Sequence, residues 1–204
     1  MMSEPETRAG LPILAFADAA AWEAWLAAQP RSAPGVWLKL AKACAGVASV
    51  SKAEAIDGAL CHGWIDGQLN PYDENWWLIR FTPRKPRSIW SQKNRTRAGE
   101  LIAAGRVAAA GHAEIDAAKA DGRWDAAYAP QSTIAVPDDL LAALEAEPGA
   151  RAFFGSLESS NRYAILYRVH EAKKPETRAA RIAKFVGMCA RGERVHPKVE
   201  KTAK

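Results

Sequence analysis

The eleven residues APQSTIAVPDD, from Ala129 to Asp139, have neither a helical nor a strand period and carry prolines at 130 and 137. Proline fixes φ and donates no backbone N–H, so a regular element cannot run through this stretch. Before it, alternating apolar segments mix with helical ones; after it, the pattern is helical throughout. The expectation is an α+β domain over residues 11–129, a linker over 130–137 and a helical module over 138–192. A chain of 204 residues has room for two such cores.

The first half supplies both periods. LPILAF reads as a short strand, and Asp18 as the cap of a helix bearing Trp22, Trp25 and Leu26 at i, i+3, i+4. Pro30 and Pro34-Gly35 close that helix, and VWLKLA alternates as a strand does, with a turn near Gly46. SVSKAEAIDGALCHGW opens on a capping box, Ser51 with Glu54, and carries Ile56, Ala59 and Leu60 inward before Gly63. WIDGQL and NWWLIRFT flank NPYDEN, whose turn residues predict a hairpin. Helices are then expected over Ser91 to Ala104 and roughly Gly111 to Ala120, with Trp124 and Tyr128 folding back onto the core. The fold class expected of this half is α+β, a small antiparallel sheet packed with helices.

In the second half, PDDLLAALEA places acids at a helix start, and ARAFFGSL follows Pro148-Gly149. Ser160 is the expected cap of a helix with Tyr163, Leu166, Tyr167 and His170. Pro175 suits a first helical position, ahead of the stripe Ile182, Phe185, Val186, Cys189. Four helices and a basic, frayed tail are predicted.

No stretch has the roughly 18 apolar residues of a membrane helix, and MMSEPETRAGLPILAF lacks the features of an export signal, so a cytoplasmic location is expected. Three scattered cysteines, Cys44, Cys61 and Cys189, point to buried free thiols rather than a disulfide frame or a metal site. The net charge of +5 is unevenly spread: residues 1–137 hold 15 Lys/Arg against 14 Asp/Glu, and seven of those bases lie in RFTPRKPRSIWSQKNRTR, Arg80 to Arg97. A local positive field on an otherwise acidic body draws an anion to one place.

ALCHGWIDGQ, RFTPRKPRSIWSQKNR and SNRYAILYRVHEAKKPETRAARIAKF resemble the YdeI/OmpD-associated family, whose C-terminal module is termed bacteriocin-protection or OmdA-like. The resemblance extends over about residues 11 to 192. It implies a part in resistance to bacteriocins or cationic peptides and a link to outer-membrane porins, hence an envelope setting that the absent export signal does not match. The N-terminal half is also loosely similar to the small α+β domains of the YdhG-like group.

Asp66, between Ile65 and Gly67 in an apolar segment, calls for a cation, backbone N–H groups or a ligand, and Arg80 or Arg84 is the expected partner. Pro83 and Pro86 stiffen the support of Arg84, Lys85 and Arg87, and free N–H groups at a helix opened by Ser91 would face an anion beside Arg87. The expected ligand site is Trp64, Asp66, Arg80, Arg84, Arg87 and Trp90, binding a small anion or an acidic protein surface without catalysis, cofactor or metal. Nucleic acid is disfavoured by the acidic body and by the absence of a recognition motif. Two alternatives stay open: an adaptor working through the helical module, whose Arg168, Lys173, Lys174, Arg178, Arg181 and Lys184 lie off the apolar stripe, and a hydrolase or transferase using Asp66 with Tyr72, Asp73 or Glu74. Cys61 and His62, adjacent on a helix, point apart and form no nucleophile and base pair, and His170 is expected in a core or an interface.

Overall fold

The computed structural model describes residues 6–197, so the last part of the expected basic tail, residues 198–204, lies outside the described residues. The chain divides into two compact units, residues 1–127 and 128–204.

The first unit is α+β. Its strands are β1 (Thr7–Arg8), β2 (Leu11–Ala15), β3 (Val36–Ala41), β4 (Trp64–Pro71) and β5 (Trp76–Pro83), and its helices are α1 (Ala19–Ala27), α2 (Lys52–Cys61), α3 (Gln92–Ala103) and α4 (Ala109–Ala120). The strands form one sheet in the order β1-β2-β3-β5-β4. It is not wholly antiparallel as expected: β2 and β3 run parallel, with Ile13 opposite Trp37 and Leu14 opposite Leu38. The reason lies in α1, which carries the chain back to the starting end of the sheet, as a parallel pair requires. β1 was also not foreseen; the turn at Ala9-Gly10 folds Thr7 and Arg8 onto the start of β2.

Capping follows the sequence closely. Asp18 accepts from the Ala21 N–H at 2.8 Å, Ser51 and Glu54 form the reciprocal capping box, and Ser91 accepts from the Asn94 N–H at 3.1 Å. The β4–β5 hairpin is closed by Asp73, whose Oδ1 accepts from the N–H groups of Asn75 and Trp76.

β3 and β5 bury one face against α1 and α2. Val36, Leu38, Leu40, Ile79 and Phe81 share that face with Trp22, Leu26, Ala55, Ala59 and Trp64. Each large side chain so buried is worth roughly 1.5–3 kcal/mol of transfer free energy. Trp22 is locked further: its ring stacks on Trp25 at 5.4 Å, and its Nε1–H donates to the Ala55 carbonyl. A second cluster joins α2, α3 and α4 through Leu60, Cys61, Trp90, Leu101 and Ile115, with Trp124 packed on it. Gly111 makes this packing possible. A Cβ there would lie 2.3 Å from the Cys61 carbonyl oxygen, which accepts from the Ala108 N–H at 3.0 Å.

The second unit contains α5 (Asp138–Ala146), α6 (Ala150–Ser156), α7 (Ser159–Glu171) and α8 (Pro175–Ala190). Leu140, Leu144, Phe154, Ile165, Leu166, Val169, Phe185 and Val186 form its core. Glu158, not Ser160, occupies the cap position of α7, and its side chain makes no capping bond. Arg178 on α8 pairs with both oxygens of Asp139 on α5 at 2.6 and 2.8 Å, and that guanidinium holds the Asp139 carboxyl below the usual carboxylate range. Asn161 fastens the segment after α8 by two hydrogen bonds with the His196 backbone.

Candidate functional site: a basic hollow at the end of the sheet

Beyond β5 the chain makes a stiff, hydrogen-bonded exit. The Arg84 N–H donates to the Gly63 carbonyl at 2.9 Å, and Lys85 and Ser88 close a turn, the Lys85 N–H to the Ser88 hydroxyl and the Ser88 N–H to the Lys85 carbonyl. Arg123 reaches across to the Ser88 carbonyl at 2.8 Å. Arg84 is only 5% exposed; its guanidinium lies 3.6 Å from the centroid of the Trp90 ring and donates to the Ile89 carbonyl. Trp90 is in turn fixed edge-on against Trp124, centroids 4.9 Å apart. Stacking on an indole lets a guanidinium keep its charge in a largely dry place.

Facing this exit is the loop between α1 and β3. Antiparallel pairing of Val36 with Phe81 sets the start of β3 beside the end of β5. Gly35 brings the loop close, at φ +118 and with its absent Cβ position 2.7 Å from the Phe81 carbonyl oxygen. Between loop and exit opens a hollow of about 510 Å³, bordered by Arg31, Arg80, Arg84 and Lys85, with Ser32, Thr82 and the apolar Ala33, Pro34, Pro83 and Pro86. Among the described residues, no carboxylate lines it. Arg31 pairs with the buried Glu114 of α4, while Arg80 and Lys85 are exposed and enter no ion pair among the described residues. A smaller space of about 60 Å³ adjoins it, sharing Arg31, Pro83 and Arg84 and bordered by Trp64, His62 and Glu114.

The residues expected to form one site are thus divided. Arg80 and Arg84 line the larger hollow, and Trp64 with Arg84 the smaller. Trp90 underlies Arg84 and is 1% exposed, so it orients the guanidinium and covers no ligand. Asp66 and Arg87 border neither space. The expected partnership of Asp66 with Arg80 is excluded by sheet geometry: Asp66 stands opposite Phe81, whereas Arg80 stands opposite Trp37, and neighbouring residues of one strand face opposite sides. The α3 N-terminus expected to face an anion is closed in part by the Ser91 side chain. Reasoning from sequence missed Arg31, although RSAPG directly before a strand was a signal that this loop would meet the strand's neighbour.

Three of the seven bases between Arg80 and Arg97 serve the fold. Arg84 is stacked on Trp90, and Arg95 donates to the Trp124 carbonyl at 3.2 Å. Arg97 grips both oxygens of the buried Asp57 at 2.7 and 2.6 Å and also meets Glu100 at 2.5 Å. Arg106 lies 3.8 Å from the same Asp57 and binds Glu23 at 2.7 Å, tying α1, α2 and α3 into one network.

Two of the groups considered for catalysis, Tyr72 and Asp73, are otherwise occupied. Asp73 holds the hairpin turn, and the Tyr72 hydroxyl donates to Glu6 at 2.5 Å, a bond that raises the phenol's pKa. Burial pushes the Cys61 thiol up and the His62 imidazole down. Cys189 is buried and likewise raised, but Cys44 is exposed, contrary to expectation. His170 is exposed too, its Nε2 2.9 Å from the Ala135 carbonyl oxygen, because it projects from the polar side of α7. Among the described residues no group of three or more His, Cys, Asp or Glu is placed to hold a metal, and no helix is long and apolar enough to cross a membrane. Of the outward bases on the helical unit, Arg178 and Arg181 are paired, with Asp139 and Glu171. That unit has its own hollow of about 430 Å³ along α7, bordered by Ser160, Tyr163, Tyr167 and Arg168. Burial there pushes the Tyr167 phenol up to about 12.

Residues 14–114 match the family model described as Domain of unknown function (DUF8412), and residues 133–192 match the model described as Bacteriocin-protection, YdeI or OmpD-Associated. No curated protein and no solved structure matches the chain. The resemblance expected over residues 11–192 is therefore matched in its C-terminal part, and the strand-bearing part matches a different model. Within its helical unit, at residues 133–192, the chain carries a domain of the bacteriocin-protection, YdeI or OmpD-associated family.

Proposed function

We propose that the chain is a binding protein whose N-terminal unit takes a small anionic ligand in the hollow between the α1–β3 loop and the exit of β5. One observation carries this reading: four cationic side chains border a single concave space that, among the described residues, no carboxylate lines. Two of them, Arg80 and Lys85, enter no ion pair among the described residues; like charges brought together repel one another, and an anion relieves that repulsion. Its volume falls within the range of small-molecule sites. Arg84, already held on Trp90, loses little freedom when it binds. Arg80 and Lys85 supply charge from exposed positions that the fold does not need. Asp66, which borders neither space, has no part in this site.

The double variant Arg80→Ala/Lys85→Ala tests the reading. In calorimetric titration of the full chain at low ionic strength, inorganic phosphate or sulfate should bind wild type, and the variant should bind at least about ten-fold more weakly, about 1.4 kcal/mol. The unliganded melting temperature should stay within about 2 °C of wild type, as exposed side chains contribute little. Equal affinity in both proteins would remove the hollow from consideration. Arg31 and Arg84 are unsuitable probes, because Arg31→Ala would strand the buried Glu114 and Arg84→Ala would uncover Trp90.

A further inference from the structure

The side of the sheet turned away from the α1–α2 core carries a basic surface of its own, and we propose that it binds single-stranded nucleic acid. Strand register defines that side. Residues directly opposite one another share a face and neighbours along a strand do not, so Arg8, Ile13, Trp37, Lys39, Trp76 and Arg80 lie together, on the side away from Leu38 and Phe81. No strand residue on this side is acidic. Asp66 stands with Phe81 on the other, and Glu23, Asp57, Glu100 and Glu114 belong to helices, so folding sorts the charges that the sequence left mixed. Glu6, just before β1, accepts from the Tyr72 hydroxyl at 2.5 Å. Arg8, Lys39 and Arg80, with Lys42 directly after β3, enter no ion pair among the described residues. Three of these four rest on aromatic rings: Arg8 lies 5.3 Å from the Trp37 centroid, Lys39 4.2 and 5.1 Å from those of Tyr72 and Trp76, and Lys42 5.0 Å from that of Trp77. Trp37 also donates its Nε1–H to the Arg8 carbonyl at 3.0 Å. Cations held on rings keep their charge at set positions. From Trp37, opposite Arg80, to Lys42 is five residues, about 16 Å of strand, which a chain of phosphates spans and one small anion does not. Tyr72 and Trp76 are partly exposed among these cations, and Trp77 is 39% exposed at the end of the row. A duplex keeps its bases stacked inside, and a row of carboxylates brings nothing to lay on the rings. A single strand brings phosphates to the cations and open base faces to the aromatics at once.

Fluorescence anisotropy on the full chain tests this, with a labelled oligothymidylate of about 20 nucleotides, longer than a typical single-strand site, a duplex of the same length, and inorganic polyphosphate and polyglutamate as competitors. The oligothymidylate should bind with log K falling against log salt at a slope of about −3, four phosphate contacts at about 0.7 each. It should quench tryptophan fluorescence where polyphosphate does not, and the duplex should bind at least about ten-fold more weakly. Arg8→Gln/Lys39→Gln should weaken the oligothymidylate at least about ten-fold and reduce the slope by about half. Neither residue borders the hollow, so phosphate binding there is untouched by this variant and the two readings fail separately. Should the double variant lose its fold, Lys42→Gln, placed outside the strands, should lower the slope by about 0.7. No binding, or wild-type affinity and slope in these variants, would overturn the proposal. So would a duplex or polyphosphate that binds as tightly as the single strand, since bases would then play no part. Polyglutamate binding as tightly would overturn it in favour of an acidic protein partner.

Discussion

Asp57 shows what a single side chain decides here. It is 9% exposed, held at both oxygens by Arg97 and approached by Arg106 at 3.8 Å. Removing one partner of such a pair leaves the others desolvated without compensation, which costs several kcal/mol deep in a core and less where the pair opens to water. Arg97 and Arg106 are each about two-fifths exposed, so solvent recovers part of the loss. Asp57→Asn should therefore lower unfolding stability by about 2 kcal/mol in urea denaturation. An unchanged midpoint would mean that the network is idle. The sequence showed Arg97 as one more member of a basic run, because its partner lies forty residues away on another helix and no local pattern joins them.

Among the elements, the crossing of α2 and α4 is the most demanding contact. Gly111→Ala would put a methyl group 2.3 Å from a carbonyl oxygen that is backbone and cannot swing aside. The two helices would have to part, at a cost of about 2–3 kcal/mol for overpacking. Gly99 on α3 is the matched control, exposed and with nothing within 4 Å of its absent Cβ. Gly99→Ala should raise stability by about 0.5–1 kcal/mol through helix propensity. Thermal melts of the two variants moving in opposite directions would verify the crossing; Gly111→Ala melting at or above wild type would refute it. Helix starts at Asp18, Ser51 and Ser91 were legible because capping joins residues three apart. The parallel pairing of β2 with β3 was not, since neither strand's alternation records the direction of its neighbour.

For the whole molecule, the division between Ala127 and Tyr128 has a consequence for folding. The second unit encloses its own apolar cluster, with Leu140, Leu144, Phe154, Ile165 and Val169 each nearly or fully buried. A fragment of residues 128–204 should fold alone into a helical, cooperatively melting species, followed by circular dichroism at 222 nm. A featureless, non-cooperative melt would show that this unit depends on the first. Its domain-level match, residues 133–192, falls inside the same unit, so family assignment and compact structure agree on where it lies.

By itself the sequence determined the local events: the capped helix starts, the hairpin turned by Asp73, and the excess of bases after β5. These are set by bonds and periodicities between residues a few positions apart. Only tertiary structure decided what the bases do. It bound Arg97 to Asp57, laid Arg84 on Trp90, turned Asp66 and Arg80 to opposite faces of the sheet, and set the loop carrying Arg31 beside the end of β5. Each of these depends on strand register or helix crossing between distant segments, which is fixed when the whole core closes and is written in no single stretch of the chain.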